Sequence, residues 1–393
     1  MPHFRYIIVG GGMTADAAVR GIRRHDLSGP IAILTEEQHP PYSRPLLSKG
    51  LWKGEPPEKV WRDTPKEHTS ILTRSRVAQL NVAEKSVKLD DGAMHTYDRL
   101  LLATGGKVRR LSGAPPDVIY YRTLDDYQRL RQLARPGSHI VVIGGGFIGS
   151  EVAAALAMNG ISVTMVFPEE GIGSRIYPES FWRFLNSYFS AKGVRVLAGR
   201  TLKEVKKEGE KFIVVPMSMD PLKADGVVAG IGIQANDDLA AAAGIRVDNG
   251  IVVDQMLRTS APDIFAAGDV ARFFSPALGV PIRVEHEDNA LTMGEAAGRS
   301  MAGESVSYEH LPFFYSDLFD IGYEAVGELD SRLTTFEDWI EPNRKGVVYY
   351  LREGRVRGVL LVNTWGQVDA ARSLIMDKGP WNPDMLRGKI TDT

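Results

Sequence analysis

"VVIGGGFIGSE" occupies residues 141–151, and "YIIVGGGMTAD" occupies residues 6–16. Each is a run of β-branched residues that drives into three glycines and then into an alanine-rich, helix-like stretch. Extended outward, "HFRYIIVGGGMTADAAVRGIRRHDLSGPIAILTEE" reads as strand, tight turn, helix, turn and strand. "GSHIVVIGGGFIGSEVAAALAMNGISVTMVFPEE" reads the same way. The chain therefore carries two copies of one βαβ unit, an architectural repeat rather than a solenoid. In the first copy the pattern is Gly10, Gly12 and Ala15; in the second it is Gly144, Gly146 and Gly149. The first glycine makes the turn, the second lets backbone approach a pyrophosphate, and the third position lets helix and strand pack. The helix N-terminus then offers free N–H groups to the phosphates. An acid stands at the end of each second strand, Glu36 and Glu169, where it can accept from ribose hydroxyls. One such glycine pattern is weak, because glycine also makes ordinary turns. Two copies, each with its acid, point to two dinucleotide sites.

Composition narrows what lies around those sites. A chain of 393 residues has room for two or three domains, and 44% hydrophobic with 24% charged residues is the balance of a globular protein. The net charge of −2 provides no field for nucleic acid. No apolar run reaches the roughly 20 residues that span a bilayer. The start of the chain shows neither a basic region nor a cleavage site, so a cytoplasmic location is expected. There is no cysteine, which excludes a disulfide framework, a thiolate metal site, an iron–sulfur cluster and a dithiol relay within this chain. The eight histidines show no metal-ligand spacing, so no metal is expected.

Between the two units, "PPYSRPLLSKGLWKGEPPEKVW" reads as a proline-rich loop with one short helix. "SRVAQLNVAEKSVKLDDGAMHTYDRLLLATGG" alternates apolar and polar residues around a DDG turn, as an antiparallel hairpin feeding a buried strand does. The region after the second unit reads as strand-rich and ends at "GVVAGIGIQAND". "TSAPDIFAAGDVA" is a further buried strand that ends at Gly268 and Asp269. From about Pro312 the pattern becomes strands, "DIGYEAVGEL" and "GVVYYLREGRVRGVLLVNT", closed by a helix, "QVDAARSLIMDK". The fold class expected is α/β: two Rossmann-like dinucleotide-binding domains plus a C-terminal α+β domain. The boundaries expected are 1–111 with 234–311, 112–233, and 312–393.

"PYSRPLLSK", "LLLATGG", "IFAAGDVA" and "RVEHEDNAL" resemble the signatures of FAD-dependent NADH:ferredoxin/rubredoxin reductases, over essentially the whole chain. Within that family, "FFYSDLFDIGYEAVGELDS" and "GVVYYLREGRVRGVLLVN" are most similar to apoptosis-inducing factor and its prokaryotic relatives. The resemblance implies a glutathione-reductase-like arrangement, with FAD in the first cradle and NAD in the second. Contacts to FAD are then implied for Gly10, Gly12, Met13, Thr14, Ala15, Glu36, Glu37, Arg44 and Lys49. Val77, Ala103 and Thr104 would lie beside its adenosine half, Gly105 would also contact the cofactor, and Arg122 of "YYRTLDDY" would reach it from the linker. Taken alone, Arg44 and Lys49 read as surface charges. Asp269 would accept from a ribityl hydroxyl, a place where Asp also serves as a helix cap. His286 and Glu287 open the helix "EHEDNALTMGEAAGRSMAG", whose positive end would face the pyrimidine edge of the flavin. For NAD the resemblance implies Gly145, Gly146, Phe147, Ile148, Glu169, Arg175, Gly232 and Glu324. Phe147 would stack on the nicotinamide, although a core aromatic reads the same way in sequence.

Catalytic roles are implied for Lys49, Glu151 and Phe147. Glu151 lies one turn past the second cradle; a buried carboxylate there needs a cation, and Lys49 is its counterpart in the family pattern. Tyr315 stands where the relatives nearest in the C-terminal domain carry a tryptophan over the flavin. No long acidic insertion, leader or basic surface like those of the animal proteins is expected, so a cell-death role is not carried over. The expected activity is hydride transfer from NADH to FAD, with electrons passed to an external acceptor, a ferredoxin or rubredoxin. The alternatives are a slow NADH-responsive sensor, with a charge-transfer complex and ligand-dependent dimerisation, and an NADH oxidase or quinone reductase. A monomer or homodimer is expected.

Overall fold

The computed structural model describes residues 1–391. They form two compact units. One comprises Met1–Ser43, Glu58–Lys107 and Gln234–Pro312; the other comprises Arg44–Pro57, Val108–Ile233 and the chain from Phe313 onward. Among the described residues no helix is long and apolar enough to cross a membrane.

The first unit is built on a seven-stranded sheet. Strands Thr69–Leu72, Ile31–Leu34, His3–Val9 and Met94–Leu102 run parallel in that order, and Ile264–Ala266 also pairs in parallel with Met94–Leu102. Ile8 sits between Ile33 and Leu101 in register. These central strands are continuous apolar runs because both faces are covered. The hairpin read from the alternating stretch is present: Val77–Asn81 and Ser86–Leu89 pair antiparallel, and the second pairs antiparallel with Met94–Leu102. On one face, helix Met13–Arg23 lies against helix Glu287–Met301. Their contact is backbone-close: a Cβ on Gly21 would strike the carbonyl of Glu295, and one on Gly298 the carbonyl of Ala18. That is the use of the small residues along both helices.

His95 lies in this unit, 6% exposed, with neither ring nitrogen hydrogen-bonded among the described residues. Burial is the largest cause holding its pKa below the ordinary histidine value. The unfolded chain therefore binds the proton more readily than the native one. The associated stability is complete above the unfolded pKa near 6.5 and is lost as the pH falls below it. Acidification from pH 7 to 5 should lower the unfolding free energy, with a slope from this residue of at most about 1.4 kcal/mol per pH unit. His95→Phe, which keeps a ring beside Phe4, should flatten that slope in denaturant titrations. An unchanged slope would show that His95 finds a partner for its proton.

The second unit holds a four-stranded parallel sheet in the order Val194–Leu197, Ser162–Val166, His139–Ile143, Gly226–Ala229. A three-stranded antiparallel sheet, Leu202–Glu208, Lys211–Pro216 and Leu222–Ala224, follows. Five antiparallel strands come next, ordered Phe313–Leu318, Ile321–Gly327, Arg355–Val362, Lys345–Arg352, Thr334–Glu341, with helix Val368–Met376 packed against them. The C-terminal sheet, expected as a domain of its own, shares this unit with residues 108–233. Its ties are specific: Tyr177 donates to Tyr323 at 2.6 Å, Tyr350 to the carbonyl of Ile176 at 2.7 Å, and Ser180 to Glu337 at 2.5 Å.

Two local readings need correction. The region after the second βαβ unit contains helix Glu179–Ala191. Its buried residues Phe181, Trp182, Leu185, Tyr188 and Phe189 fall at helical spacing, although bulky aromatics favour strands. The single short helix expected in the proline-rich loop is instead a series of 3-10 turns, Arg44–Leu47, Gly50–Lys53 and Pro57–Val60. Prolines and a left-handed Gly54 leave no room for a longer helix.

Candidate active site

The two glycine cradles have nearly the same backbone. Gly10 and Gly144 take φ of 116° and 110°, and Gly12 and Gly146 take φ/ψ of −87°/−169° and −82°/−168°. A side chain on Gly10 would run into the carbonyl of Ala103, and one on Gly144 into the carbonyl of Gly230. At Gly12 and Gly146 an added Cβ would meet nothing within 4 Å. Backbone there is open to space, and each glycine caps a helix with no side-chain cap. Free N–H groups at a helix start beside unfilled space suit a pyrophosphate.

In the first unit, some of the expected residues lie beside this opening and others are placed by their own partners. Gly10 abuts Ala103 and the backbone of Thr104, whose hydroxyl donates to the carbonyl of Asn236 at 2.7 Å. The Gly105 carbonyl accepts from the Asn236 N–H at 2.9 Å. Gly268 takes φ of 76° against Thr14, which brings Asp269 to the same helix start as Met13, Thr14 and the buried Ala15. Asp269 lies in the 3-10 turn Gly268–Val270 rather than capping a helix. Glu36 follows Thr35 at the strand end and is mostly exposed, 3.8 Å from Arg76. Val77 begins the neighbouring hairpin strand. Glu37 accepts from the Tyr42 hydroxyl at 2.6 Å. His286 caps helix Glu287–Met301, and Glu287 accepts from Ser43 at 3.4 Å. One buried charge escaped the sequence reading. Asp16, in the first turn after the cradle, is fully buried and paired with Arg20 at 3.2 Å and Arg62 at 3.0 Å. Its charge is balanced and does not oppose an anion at the helix start.

In the second unit, a side chain on Gly145 would press on the Phe167 ring, and one on Gly149 would strike the carbonyl of Gly144. Glu169 pairs with Arg175 at 2.5 Å, and the Arg175 side chain is 81% exposed. Gly232 takes φ of 89° and its carbonyl accepts from the Arg109 N–H at 3.0 Å. Ile148 is exposed at the helix start. The Phe147 ring lies edge-on to Phe314 with centroids 5.0 Å apart. Glu324 accepts from the backbone N–H of Gly366, and burial raises its pKa. Its Oε2 is buried without a hydrogen-bond partner among the described residues. An orphaned acceptor of this kind is costly unless a donor arrives.

Lys49 and Glu151 meet. Lys49 Nζ lies 2.7 Å from Glu151 Oε1, with side chains 12% and 5% exposed. Two serines missed in the sequence complete the carboxylate: Ser48 donates to Oε2 at 2.5 Å and Ser316 to Oε1 at 2.6 Å. The Lys49 ammonium also lies 5.1 Å from the Tyr315 ring centroid. Arg44 donates to the Arg122 carbonyl at 2.9 Å, joining the linker to the same segment. Ser48 and Ser316 flank residues that the motifs already marked, and that adjacency was their only signal in sequence. Among the described residues no cluster of potential metal ligands is found.

Comparison with known proteins agrees with this geometry. The family model of pyridine nucleotide-disulphide oxidoreductases matches residues 4–294, and the C-terminal model of apoptosis-inducing factor matches residues 297–344. The chain is 33% identical to apoptosis-inducing factor 1 of Dictyostelium discoideum, over 95% of this chain and 79% of that protein. It is 32% identical to the ferredoxin–NAD(+) reductase component of the anthranilate 1,2-dioxygenase system of Burkholderia cepacia, over 97% and 96% of the two chains. The reductase in a covalent putidaredoxin reductase–putidaredoxin complex superposes with a TM-score of 0.91 at 31% identity, over 98% of this chain and 96% of that one. With two open phosphate cradles and this kinship, the chain belongs to the pyridine nucleotide-disulphide oxidoreductase family and is an NADH-dependent flavoprotein reductase that uses FAD and NAD(H).

Proposed function

We propose that this reductase delivers electrons from NADH to a small ferredoxin-type iron–sulfur protein. The observation that carries the reading is the pairing of two nucleotide cradles with a chain that has no cysteine. No internal dithiol can take the electrons, so the acceptor is a separate molecule. Relatives named as ferredoxin–NAD(+) reductase components, and a reductase solved with its putidaredoxin, support the choice of acceptor. FAD, when bound, supplies the chemistry: it accepts hydride from NADH and releases the electrons singly.

The protein's residues bind and orient. Gly12 and the helix start at Met13 would hold the FAD pyrophosphate, with Glu36 at its ribose and Asp269, His286 and Glu287 toward the flavin. Gly146, Ile148, Glu169 and Arg175 would hold NADH, with Phe147 against the nicotinamide and Glu324 as an acceptor for it. Lys49, held by Glu151, would present positive charge to the flavin edge that gains negative charge on reduction. The test is a steady-state assay with NADH and candidate acceptors. Ferredoxin should be reduced with a kcat/KM at least tenfold above quinone and oxygen; a reversed order would assign the chain to the oxidase or quinone-reductase reading.

Coenzyme choice follows from the Glu169–Arg175 pair. Glu169 would accept from the adenosine ribose and repel a phosphate there, a difference of several kcal/mol or on the order of a hundredfold in affinity. Glu169→Ala removes the repulsion and frees Arg175 for that phosphate. The NADH:NADPH ratio of kcat/KM should then fall about a hundredfold, and Arg175→Ala in the same background should recover part of it. A ratio unmoved by Glu169→Ala would place the ribose elsewhere.

A further inference from the structure

Glu151 stands on the helix Phe147–Met158 among buried apolar neighbours from Val152 to Leu156. A carboxylate's terminal torsion is broad, so burial alone does not fix where its oxygens point. Lysine is a flexible point charge with three rotatable donors. Something else has to fix both groups if Lys49 is to present its ammonium in one direction. The three donors around Glu151 come from two separated segments: Lys49 and Ser48 from the loop at 44–57, and Ser316 from strand Phe313–Leu318. Both carboxylate oxygens are thereby engaged from different sides.

The chain of hydroxyls does not stop at Ser316. Ser316 is the register partner of Tyr323 on the next strand, so the two side chains share one face of the sheet. Tyr177 donates to Tyr323 at 2.6 Å. Each hydroxyl has a single hydrogen. The Ser316 hydrogen is on Glu151 and the Tyr177 hydrogen is on Tyr323, which leaves the Tyr323 hydrogen available to the Ser316 oxygen on the same face. Such aligned donors strengthen one another in a low-dielectric interior. Burial pushes both tyrosine hydroxyls well above the ordinary tyrosine value, so both remain donors. Tyr177 is 2% exposed and Tyr323 1% exposed, so the far end of the series is sealed from solvent. A path for protons to water would have to open at that end. This geometry suits a fixed support instead.

We propose that Ser48, Ser316, Tyr323 and Tyr177 form a hydroxyl clamp that locks the Glu151 carboxylate and, through it, the direction of the Lys49 ammonium. These are positioning residues: they act on the reaction only through Glu151 and Lys49. The proposal rests on the reading that Lys49 faces the flavin, and it makes the C-terminal strand carrying Ser316 a contributor to the redox properties of the cofactor.

The test uses the FAD-loaded protein and four variants: Ser316→Ala, Ser316→Thr, Tyr323→Phe and Glu151→Gln. Three quantities are read: the flavin midpoint potential, the rate of flavin reduction by NADH against the NADH Kd, and the rate of acylation of Lys49 by an amine-reactive reagent, followed by mass spectrometry. Loss of one charge-assisted hydrogen bond should slow flavin reduction about tenfold in Ser316→Ala with NADH Kd unchanged. It should also lower the potential, because the ammonium is no longer held toward the flavin, and speed Lys49 acylation several-fold. Ser316→Thr keeps the hydroxyl and should restore all three. Tyr323→Phe, one link further away, should show the same pattern at about a third of the size. If Glu151→Gln moves the potential and the rate while Ser316→Ala and Tyr323→Phe leave all three readings at the wild-type value, the clamp is wrong and the Lys49 reading stands. If Ser316→Ala speeds acylation but even Glu151→Gln leaves the potential and rate unmoved, the clamp holds Lys49 but the placement of Lys49 at the flavin, and with it the proposal, is overturned.

Discussion

Gly12→Val should yield a folded protein that purifies without its yellow cofactor. The variant is informative because fold and binding separate at this position. Gly12 has φ of −87° and ψ of −169°, extended backbone that any residue adopts. Its added Cβ would meet no protein atom within 4 Å. Valine costs the fold little, yet its methyls enter the space assigned to the pyrophosphate. The neighbouring glycine is the control. Gly10 has φ of 116° and abuts the Ala103 carbonyl, so Gly10→Ala should damage the fold itself. Gly146→Val completes the set: FAD should remain bound and NADH binding should be lost, because the second cradle has the same open geometry. Flavin content by absorbance, NADH binding by titration and folding by circular dichroism check all three. Full FAD occupancy in folded Gly12→Val would remove the first cradle from the cofactor site.

Lys49→Ala should slow flavin reduction by NADH about a hundredfold, the scale on which single preorganised electrostatic groups act in water-excluded sites. Lys49 is 12% exposed and lies 2.7 Å from a carboxylate that is 5% exposed, so its charge is poorly screened. Removing it leaves Glu151 without its cation, and that uncompensated anion would oppose the negative charge that reduction brings. Glu151→Gln removes the anchor but leaves the ammonium, and should cost less than Lys49→Ala. Stopped-flow bleaching of the flavin at saturating NADH measures both. Rates within twofold of wild type for Lys49→Ala would take this pair out of the reaction.

What the sequence revealed depended on how local the physics was. The cradles were legible because Gly10, Gly12 and Ala15, or Gly144, Gly146 and Gly149, serve one turn and one helix start within six residues. Glu36 and Glu169 were legible because the length of a βαβ unit fixes their distance from the glycines. Lys49, Glu151 and Tyr315 came through resemblance, and the structure then brought Lys49 to Glu151 and to the Tyr315 ring. Ser48 and Ser316 were not legible, because their role exists only where the loop at 44–57, the second cradle helix and the C-terminal strand converge on Glu151. Asp16 was passed over for the same reason: its second partner, Arg62, lies 46 positions away. Helix Glu179–Ala191 had the right spacing, but its Phe, Trp and Tyr content argued locally for a strand, and burial against the sheet overrode that preference.

The measurement that tests the central claim most directly is a single turnover. The FAD-loaded protein is reduced anaerobically with one equivalent of NADH and mixed in a stopped-flow instrument with oxidised ferredoxin, then separately with rubredoxin, quinone and oxygen. Oxidised flavin should return fastest with ferredoxin, at a rate no slower than steady-state turnover, with two ferredoxins reduced per NADH. A long-wavelength absorbance band that persists for minutes against all four acceptors, with a doubling of mass by light scattering on NADH addition, would contradict that claim and make the protein an NADH sensor.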